Sequence, residues 1–272
     1  MLRADLHVHS HYSDGADSVE AVVKRAKRAG LDAISFVDHD TVAGWTEKQS
    51  IAARYGITAI PGIEISAYDF RRSRKVHILG YQFEPAAGHI QELCSTLLEQ
   101  RHGHSLWQIE QIKAAGFKLD ADAVMASAKP STAVYKQHIM KQLTEEPYTS
   151  PQYKTLYKSL FKGNGPASGD ISYVDARDAV RAIVADKGLA VLAHPGQLDS
   201  FELVPELVEA GLGGIERNHF DHSEDDHLKV EELAREYGLA LTGGSDYHGS
   251  FGALIDVGDI ISPADVNYFK RL

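Results

Sequence analysis

Five segments of this chain share one pattern, in which short apolar runs meet clusters of histidines and carboxylates. They are residues 5–15, 34–40, 60–79, 189–195 and 241–248. Short apolar runs of this kind are typical of strands that are buried on both faces. Polar residues that follow such strands lie together at one end of a parallel barrel. The pattern therefore predicts that segments far apart in sequence meet at a single site.

Strand and helix signals alternate along most of the chain, which indicates an α/β fold. Strands are predicted at residues 3–8, 33–37, 58–61 with 63–67, 76–81, 189–193, 214–216 and 240–243, and helices at 18–29, 42–55, 174–186, 201–210 and 223–237. Such alternation predicts a parallel sheet with right-handed crossovers. The 272 residues suffice for a barrel with an inserted subdomain.

A helical block interrupts this alternation. Residues from about 88 to 162 are predicted to be mostly helical, with helices at 92–115 and 134–143. The stretch 163–169, rich in glycine, has the composition of a turn and would return the chain to the barrel. We therefore predict a barrel domain of residues 1–87 and 163–272, with residues 88–162 as an inserted helical lid.

The composition limits the classes of partner. A net charge of −10 argues against binding duplex nucleic acid, which needs a cationic surface. Bound metals would still admit a phosphorylated substrate. No apolar stretch reaches the ~18 residues that a membrane span needs. The single cysteine, Cys94, fits a reducing compartment, and the first strand leaves no room for a signal peptide, so we expect a cytoplasmic protein.

The strongest local motif is His7-Val8-His9 in the first strand. Alternate residues of a strand point to the same face, so both imidazoles can share one metal. Asp14 follows in a Ser-Asp-Gly turn, where its carboxylate is either a further ligand or the acceptor of an Asx turn. Asp246 and His248 repeat the alternate-residue spacing in the last segment.

Two aspartates flank His39, which is itself a candidate ligand. Asp38 could orient a ligand, and Asp40 could cap the following helix. Glu64 lies between two isoleucines, where an unpaired carboxylate would be costly. It is therefore predicted to bind metal and to bridge two ions.

His77 and His194 complete the candidate ligands, with a buried core histidine as the alternative for His77. Imidazole and carboxylate groups together suit zinc, manganese or iron. The donors are too many for a single ion, so the sequence predicts a centre with several metals.

Taken together, these motifs resemble the polymerase and histidinol phosphatase (PHP) family of metal-dependent phosphoesterases. The matching segments are His7-x-His9 with Ser13-Asp14-Gly15, Asp38-His39-Asp40, residues 61–66, residues 76–80, His194-Pro195 and Ser245-Asp246-Tyr247-His248. The resemblance covers nearly the whole chain. It implies a distorted seven-stranded (β/α) barrel with two to three divalent transition metals, which would be manganese, zinc or iron.

The same resemblance assigns each candidate ligand to a metal. One metal would be held by His7, His9, Glu64 and Asp246, a second by Glu64, His77 and His194, and a third by Asp14, His39 and His248. It also implies that metal-activated water hydrolyses phosphomonoesters.

The Ser-Asp-Gly turn and the inserted helices are most similar to the small nucleotide phosphatases of the family, whose insertion carries an Arg-x-His segment. Lys136-Gln137-His138 stands at that place, with lysine instead of arginine. The resemblance implies that Lys136 and His138 bind phosphate, or that His138 protonates the leaving oxygen. The implied substrates are nucleoside monophosphates, 3′,5′-bisphosphates or the ends of short oligonucleotides.

Other interpretations stay open. Histidinol phosphate is the main alternative substrate. The amidohydrolases also use His-x-His on the first barrel strand, but their shared lysine ligand has no counterpart at a strand end of this chain. The third alternative is a non-catalytic, metal-stabilised nucleic-acid-binding module, and the acidic charge counts against it.

Several further polar residues are weaker candidates. The basic stretch 68–75 is interpreted as an exposed hairpin loop, with attraction of an anionic substrate as the alternative. Surface or lid packing is the interpretation of His102, His104 and Trp107. Four residues at the end of the strand 214–216 or just after it are expected to contact substrate or orient ligands, with a solvated turn at 221–226 as the alternative; they are Glu216, Asn218, His219 and His222.

Overall fold

The apolar runs form one mixed sheet. The computed structural model describes residues 2–84, 86 and 88–263. The strands are β1 (Ala4–Val8), β2 (Ala33–Phe36), β3 (Thr58–Asp69), β4 (Arg74–Tyr81), β5 (Val174–Asp175), β6 (Leu189–Leu192), β7 (Gly214–Asn218) and β8 (Ala240–Gly243). Their order is β1-β2-β3-β4-β6-β7-β8, and β5 pairs with β3. A bridge between Val8 and Tyr247 nearly closes the sheet, which confirms the predicted seven-stranded barrel.

Helices cover the sheet and form the inserted block. They are α1 (Val19–Arg28), α2 (Trp45–Arg54), α3 (Gly88–Ala114), α4 (Ala121–Ala128), α5 (Lys136–Leu143), α6 (Pro151–Phe161), α7 (Ala176–Ala185), α8 (Pro195–Leu198), α9 (Val204–Ala210) and α10 (Glu224–Tyr237), with 3₁₀ turns at Phe201–Leu203 and Gly249–Phe251. Across the described ranges, we find no helix that is both long and apolar enough to cross a bilayer.

The prediction of an entirely parallel sheet is wrong for β4. This strand pairs antiparallel with β3, from Gly62–Tyr81 to Asp69–Arg74, and antiparallel with β6. The chain between β3 and β4, residues 70–73, is too short for the crossover that a parallel pair requires. The two strands therefore form a hairpin, which confirms the hairpin loop expected in the basic stretch.

Two strand boundaries also differ from expectation. The segments predicted as separate strands at 58–61 and 63–67 form the single strand β3, which pairs with β2 before Gly62 and with β4 from Gly62 onwards. The helix predicted from Val174 starts two residues later, because Val174 and Asp175 pair with β3. The Asp175 carboxylate then accepts a hydrogen bond from the Arg177 backbone and caps α7.

The barrel interior below the site is filled by apolar side chains. One buried cluster comprises Ala4, Leu6, Ala33, Val37, Ile60, Leu79, Tyr81, Val191 and Ala193. The Tyr81 hydroxyl donates to the Leu6 carbonyl at 2.8 Å, which satisfies the polar end of this large side chain. Since the interior is closed in this way, the polar residues that follow β1, β2, β6 and β8 can gather at one end.

The inserted helices have an apolar cluster of their own. It includes Ile109, Ile112, Val124 and Ile139. The first half of α3 packs differently, because Ile90, Cys94 and Leu97 join the cluster between the sheet and its outer helices. Helix α3 therefore belongs to both parts, and the division into a barrel and a lid at residue 88 stays a prediction.

We expect Gly62→Ala to destabilise the barrel. A Cβ at this position would lie 2.2 Å from the Ser35 Oγ and 2.8 Å from a Val37 methyl group. Such overpacking costs about 1–3 kcal/mol, and chemical denaturation would measure it. Gly103→Ala is the matched control, because its Cβ would meet nothing within 4 Å and alanine favours the helix by up to ~1 kcal/mol. Equal stability of the two variants would contradict this packing.

Candidate metal centre

His7 and His9 lie on β1 and point their imidazoles to the same side of the strand. Both side chains are fully buried. The Nε2 atoms of His7 and His9 lie 3.4 and 3.1 Å from Glu64 Oε2, and 3.3 and 3.2 Å from Asp246 Oδ1. Four donors at about 2.1 Å from a tetrahedral metal would be ~3.4 Å apart. These four residues therefore have the spacing of one metal site.

Glu64 contacts histidines on both sides of its carboxylate. Its Oε1 lies 2.8 Å from His77 Nδ1 and 3.0 Å from His194 Nε2. Its Oε2 lies 3.4 Å from His39 Nδ1. A carboxylate in this position can be shared between neighbouring ions. Burial opposes ionisation, yet the field of His39, His77 and His7 holds the pKa of Glu64 well below its usual range.

A further group forms around Asp14. Its Oδ1 lies 3.4 Å from His248 Nε2 and 3.7 Å from His9 Nδ1. The other ring nitrogen of His248, Nδ1, donates to the Asp246 carbonyl at 2.9 Å, which leaves Nε2 for a metal. His39 offers a donor atom to the same group.

All nine candidate ligands thus lie together, but their grouping differs in part from the expected one. The donor atoms fall into three sets, and within each set all atoms lie within 4.8 Å of one another. The sets are His7, His9, Glu64 and Asp246; His9, Asp14, His39 and His248; and His39, Glu64 and His77. His194 contacts Glu64 without joining a set, and His39 takes its place beside His77. The assignment of ligands to individual ions stays a prediction.

The electrostatics of the centre favour a cation. Several buried polar atoms lack a hydrogen bond of normal geometry, among them His7 Nε2, both ring nitrogens of His9, Asp14 Oδ1 and His39 Nδ1. Buried polar atoms left in this state are costly. Burial alone would lower the pKa of His9, but the carboxylates of Asp246 and Glu64 raise it to about 10. Protons and metal ions compete for the same ligand atoms, so a site that attracts a proton this strongly also attracts a cation. These residues therefore fit divalent ions.

A second layer of contacts orients the ligands. Glu216 is fully buried; its Oε1 lies 2.9 Å from His7 Nδ1, and its Oε2 accepts from the His194 backbone at 2.8 Å. His219 accepts from the Asp221 backbone through Nδ1, so its Nε2–H faces Asp246 Oδ2 at 3.4 Å. Glu216 and His219 therefore fix the ring and carboxylate that they contact.

His222 and Asn218, which follow Glu216 in the chain, bond to backbone groups. Both ring nitrogens of His222 are engaged, with the Arg217 carbonyl and with the Gly196 N–H. Asn218 donates to the Ile261 carbonyl. Neither contact points to the substrate.

The two aspartates around His39 have different roles. The Asp38 side chain contacts Ser10, Ser13 and Lys48, so it holds the segment that carries the candidate ligand Asp14, and not His39. Asp40 accepts from the Ser66 backbone and from Arg101, which shows that its carboxylate joins β3 to α3 instead of capping the next helix.

A cavity of about 290 Å³ opens beside these groups. Its lining combines three candidate ligands with three cations, namely Asp14, His39, His77, Lys75, Arg101 and Lys136. Lys136, which was predicted to bind substrate, therefore faces the centre. Burial lowers its pKa to about 8, with Lys75, Lys162 and Arg101 adding to the effect and Asp170 opposing it.

Arg101 was missed by the sequence analysis. It donates to Asp40 Oδ2 at 2.7 Å and Ser66 Oγ at 2.8 Å, and it lies over the Tyr135 ring. A signal was present, because Arg101, His104 and Gln108 follow helical spacing along α3 and form a polar stripe. All three line the cavity, and His104 also stacks on Trp107, which fits packing within the inserted helices, one of the two interpretations given for it.

His138 lies behind the cavity and not in its lining. Its Nδ1 accepts from the Tyr135 backbone at 3.0 Å and caps α5. Burial lowers its pKa to about 4, with a smaller opposing effect from Asp14. The ring is therefore neutral at pH 7 with its proton on Nε2. This geometry opposes the role of a protonated acid and allows only a hydrogen-bond donor.

Comparisons with known proteins agree with this geometry. Residues 5–185 match the model of the PHP domain family. The chain is 54% identical over 254 residues to a phosphoribosyl 1,2-cyclic phosphate 1,2-diphosphodiesterase from Eggerthella lenta, covering 93% of this chain and 97% of that enzyme. It is 30% identical to a 3′,5′-nucleoside bisphosphate phosphatase from Chromobacterium violaceum, covering 95% and 91%.

A solved structure extends the likeness to the whole fold. This protein from Bifidobacterium adolescentis, described as a metal-dependent phosphoesterase, matches with a TM-score of 0.86 at 25% identity, covering 96% of this chain and 93% of the other. The fold, the gathered ligands and the sequence matches agree, and the chain belongs to the PHP domain family.

Proposed function

We propose that this metal-dependent phosphoesterase hydrolyses a cyclic phosphate ester of a sugar that carries a second phosphate group. The observation that carries the proposal is the cationic cavity beside the metal centre. One phosphate would lie at the metals, and the second would lie against Lys75, Arg101 and Lys136. A phosphoribosyl cyclic phosphate has this arrangement of two phosphates on one small sugar.

The charge distribution in the cavity supports an anionic ligand. Arg101 and Lys75 are already paired, with Asp40 and Asp170. Lys136 contacts the Phe161 ring at 5.8 Å, and no carboxylate of the described residues forms an ion pair with it. A phosphate that binds here would therefore gain a charge-assisted contact without breaking an existing pair.

The choice of sugar rests on the Eggerthella lenta relative, whose identity of 54% extends over 93% of this chain. Bound metals would supply Lewis acidity and lower the pKa of water. The chain itself would hold the ions through Glu64 and its histidines, and Glu216 would orient His7. His138, which lies behind the lining and caps α5, would hold the helix turn that carries Lys136.

A nucleotide substrate is the second candidate, and a second cavity favours it. This cavity of about 410 Å³ lies on the other side of Gln137, which lines both cavities and donates to Asp14 at 2.9 Å. Its lining includes Tyr148, Tyr153 and Phe251, on which a base could stack. The Chromobacterium violaceum relative, a nucleoside bisphosphate phosphatase, supports the same candidate.

A cytoplasmic location stays a prediction.

A panel of substrates separates the two candidates. We expect the highest kcat/KM on phosphoribosyl 1,2-cyclic phosphate, with lower values on 3′,5′-nucleoside bisphosphates and histidinol phosphate. Released phosphate and the ring-opened product would both be measured with manganese, zinc or iron added. A preference of tenfold or more for the bisphosphates would move the assignment to nucleotides.

More than one transition metal per chain is expected, because three groups of donors are present. Elemental analysis after reconstitution would measure the metal content. Glu64→Gln should lose more than one equivalent, since its carboxylate belongs to two groups. Lys136→Ala, which removes no donor, should keep the content of the wild type. A wild-type content of one metal or less would contradict the proposed centre.

Lys136→Ala should lower kcat/KM on the doubly phosphorylated substrate by roughly ten- to a hundredfold, because a charged hydrogen bond contributes about 1.5–3 kcal/mol. Methyl phosphate, which has no second phosphate, should be affected less than about threefold. Lys24→Ala is the matched control, since this exposed lysine pairs with Glu20 on α1. Equal losses on both substrates would show that Lys136 does not recognise the second phosphate.

The pH profile should carry the signature of Lys136. Its pKa of about 8 means that the side chain is charged below this pH and neutral above it. On the doubly phosphorylated substrate, kcat/KM should therefore fall as pH rises through about 8. Lys136→Arg should move this alkaline limb to higher pH, because the guanidinium stays charged. If the alkaline limb of the pH profile is unchanged in Lys136→Arg, the loss of activity above a pH of about 8 belongs to the titration of another group.

A further inference from the structure

A buried ion pair lies behind the segment that carries Asp14. Lys48, on α2, is 2% exposed, and Asp38 is fully buried. Their charged atoms, Nζ and Oδ2, are 2.5 Å apart. Lys48 also lies over the rings of Tyr12 and Phe36, at 5.2 and 5.7 Å from their centroids. Desolvation makes such a pair a poor source of stability compared with apolar packing, so a different role is indicated.

Asp38 uses its remaining acceptor capacity on the residues before Asp14. Its Oδ1 accepts from the Ser10 backbone at 2.8 Å and from the Ser13 hydroxyl at 2.8 Å, and its Oδ2 accepts from the Ser10 hydroxyl at 2.9 Å. Ser10 in turn accepts from the backbones of Ser13 and Gly15. The ion pair therefore joins α2 to both ends of the turn that contains Asp14.

The turn has little room to adjust on its own. A Cβ on Gly15 would lie 2.8 Å from the Ser10 backbone, so the chain folds tightly back on itself. Asp14 follows Ser13 directly and is 4% exposed. The position of its carboxylate therefore depends on the contacts of Asp38.

The donors around Glu64 are held by other means. Glu64 lies within β3 and pairs with β4. The Asp246 backbone donates to the His7 carbonyl at 2.8 Å, and Asp5 accepts from the backbone and hydroxyl of Ser245. The side chains of Asp38 and Lys48 take no part in these contacts; Asp38 meets this set only through its backbone carbonyl, which accepts from the Glu64 N–H at 3.4 Å.

We propose that Lys48 and Asp38 are positioning residues that set the metal affinity of the group around Asp14 without setting that of the group around Glu64. The inference rests on the proposed function, because it requires a centre with more than one metal. On this proposal the metal affinities of the two groups can be changed separately. The affinity of the group around Glu64 depends on the barrel strands, and the affinity of the group around Asp14 depends on a helix outside the barrel.

The test is metal titration of Lys48→Met and Ser13→Ala. Zinc or manganese would be supplied from a chelator-buffered solution, and occupancy would be measured by elemental analysis. Both variants should weaken the last equivalent bound by tenfold or more and leave the tighter one unchanged. In cobalt-substituted protein, one component of the visible absorption should disappear while the rest persists.

Ser13→Ala keeps the inference testable if Lys48→Met does not fold, because it removes a single hydrogen bond from the turn. The matched control is Ser105→Ala, a buried serine that donates to the Val134 carbonyl in the helical block and should bind metal as the wild type does. Normal affinity for every equivalent in folded Ser13→Ala would overturn the inference, as would a uniform loss of all metals.

The same titration separates this inference from the proposed function. A wild-type protein that takes up one metal or less would remove the multi-metal centre, and the inference with it. A wild type with several metals and a Ser13→Ala variant of equal affinity would remove the inference alone.

Discussion

The centre depends on one carboxylate, that of Glu64. It lies in the middle of β3, close to the point where the strand changes pairing partner, and it contacts five histidines from four segments. A charged group in this position is tolerable because imidazole groups contact both of its oxygens. Glu64 therefore links the architecture of the sheet to the chemistry of the site, and its neighbours are arranged around its charge.

The gathering of the nine candidate ligands could be predicted from the sequence because their type and their place at strand ends are both local properties. His7 and His9 share a face through the two-residue period of a strand, whatever the surrounding fold. The grouping of donors was less predictable. His39 lies beside His77 because a bridge between His39 and Glu64 brings it against β3. The ring nitrogen that is free for a metal depends on contacts such as that of Glu216 with His7.

The misses have a common cause, which is that they depend on contacts between distant segments. The direction of β4 is set by the length of the loop before it, a signal that strand alternation concealed. Arg101 reaches the site only because α3 crosses from one part of the molecule to another. His138 was assigned to chemistry by its motif, but its Nδ1 holds the first turn of α5.

The reversed direction of β4 decides how the inserted helices are connected. Because β4 runs away from the candidate ligands, α3 begins at the far end of the barrel, where the Ile90 backbone N–H donates to the Asp186 carboxylate, and Arg101 donates to Asp40 near those ligands. Helix α3 has 27 residues, or about 40 Å at 1.5 Å per residue. These two contacts join α3 to the barrel at two separate levels, so we expect this side of the cavity to keep its shape when substrate enters.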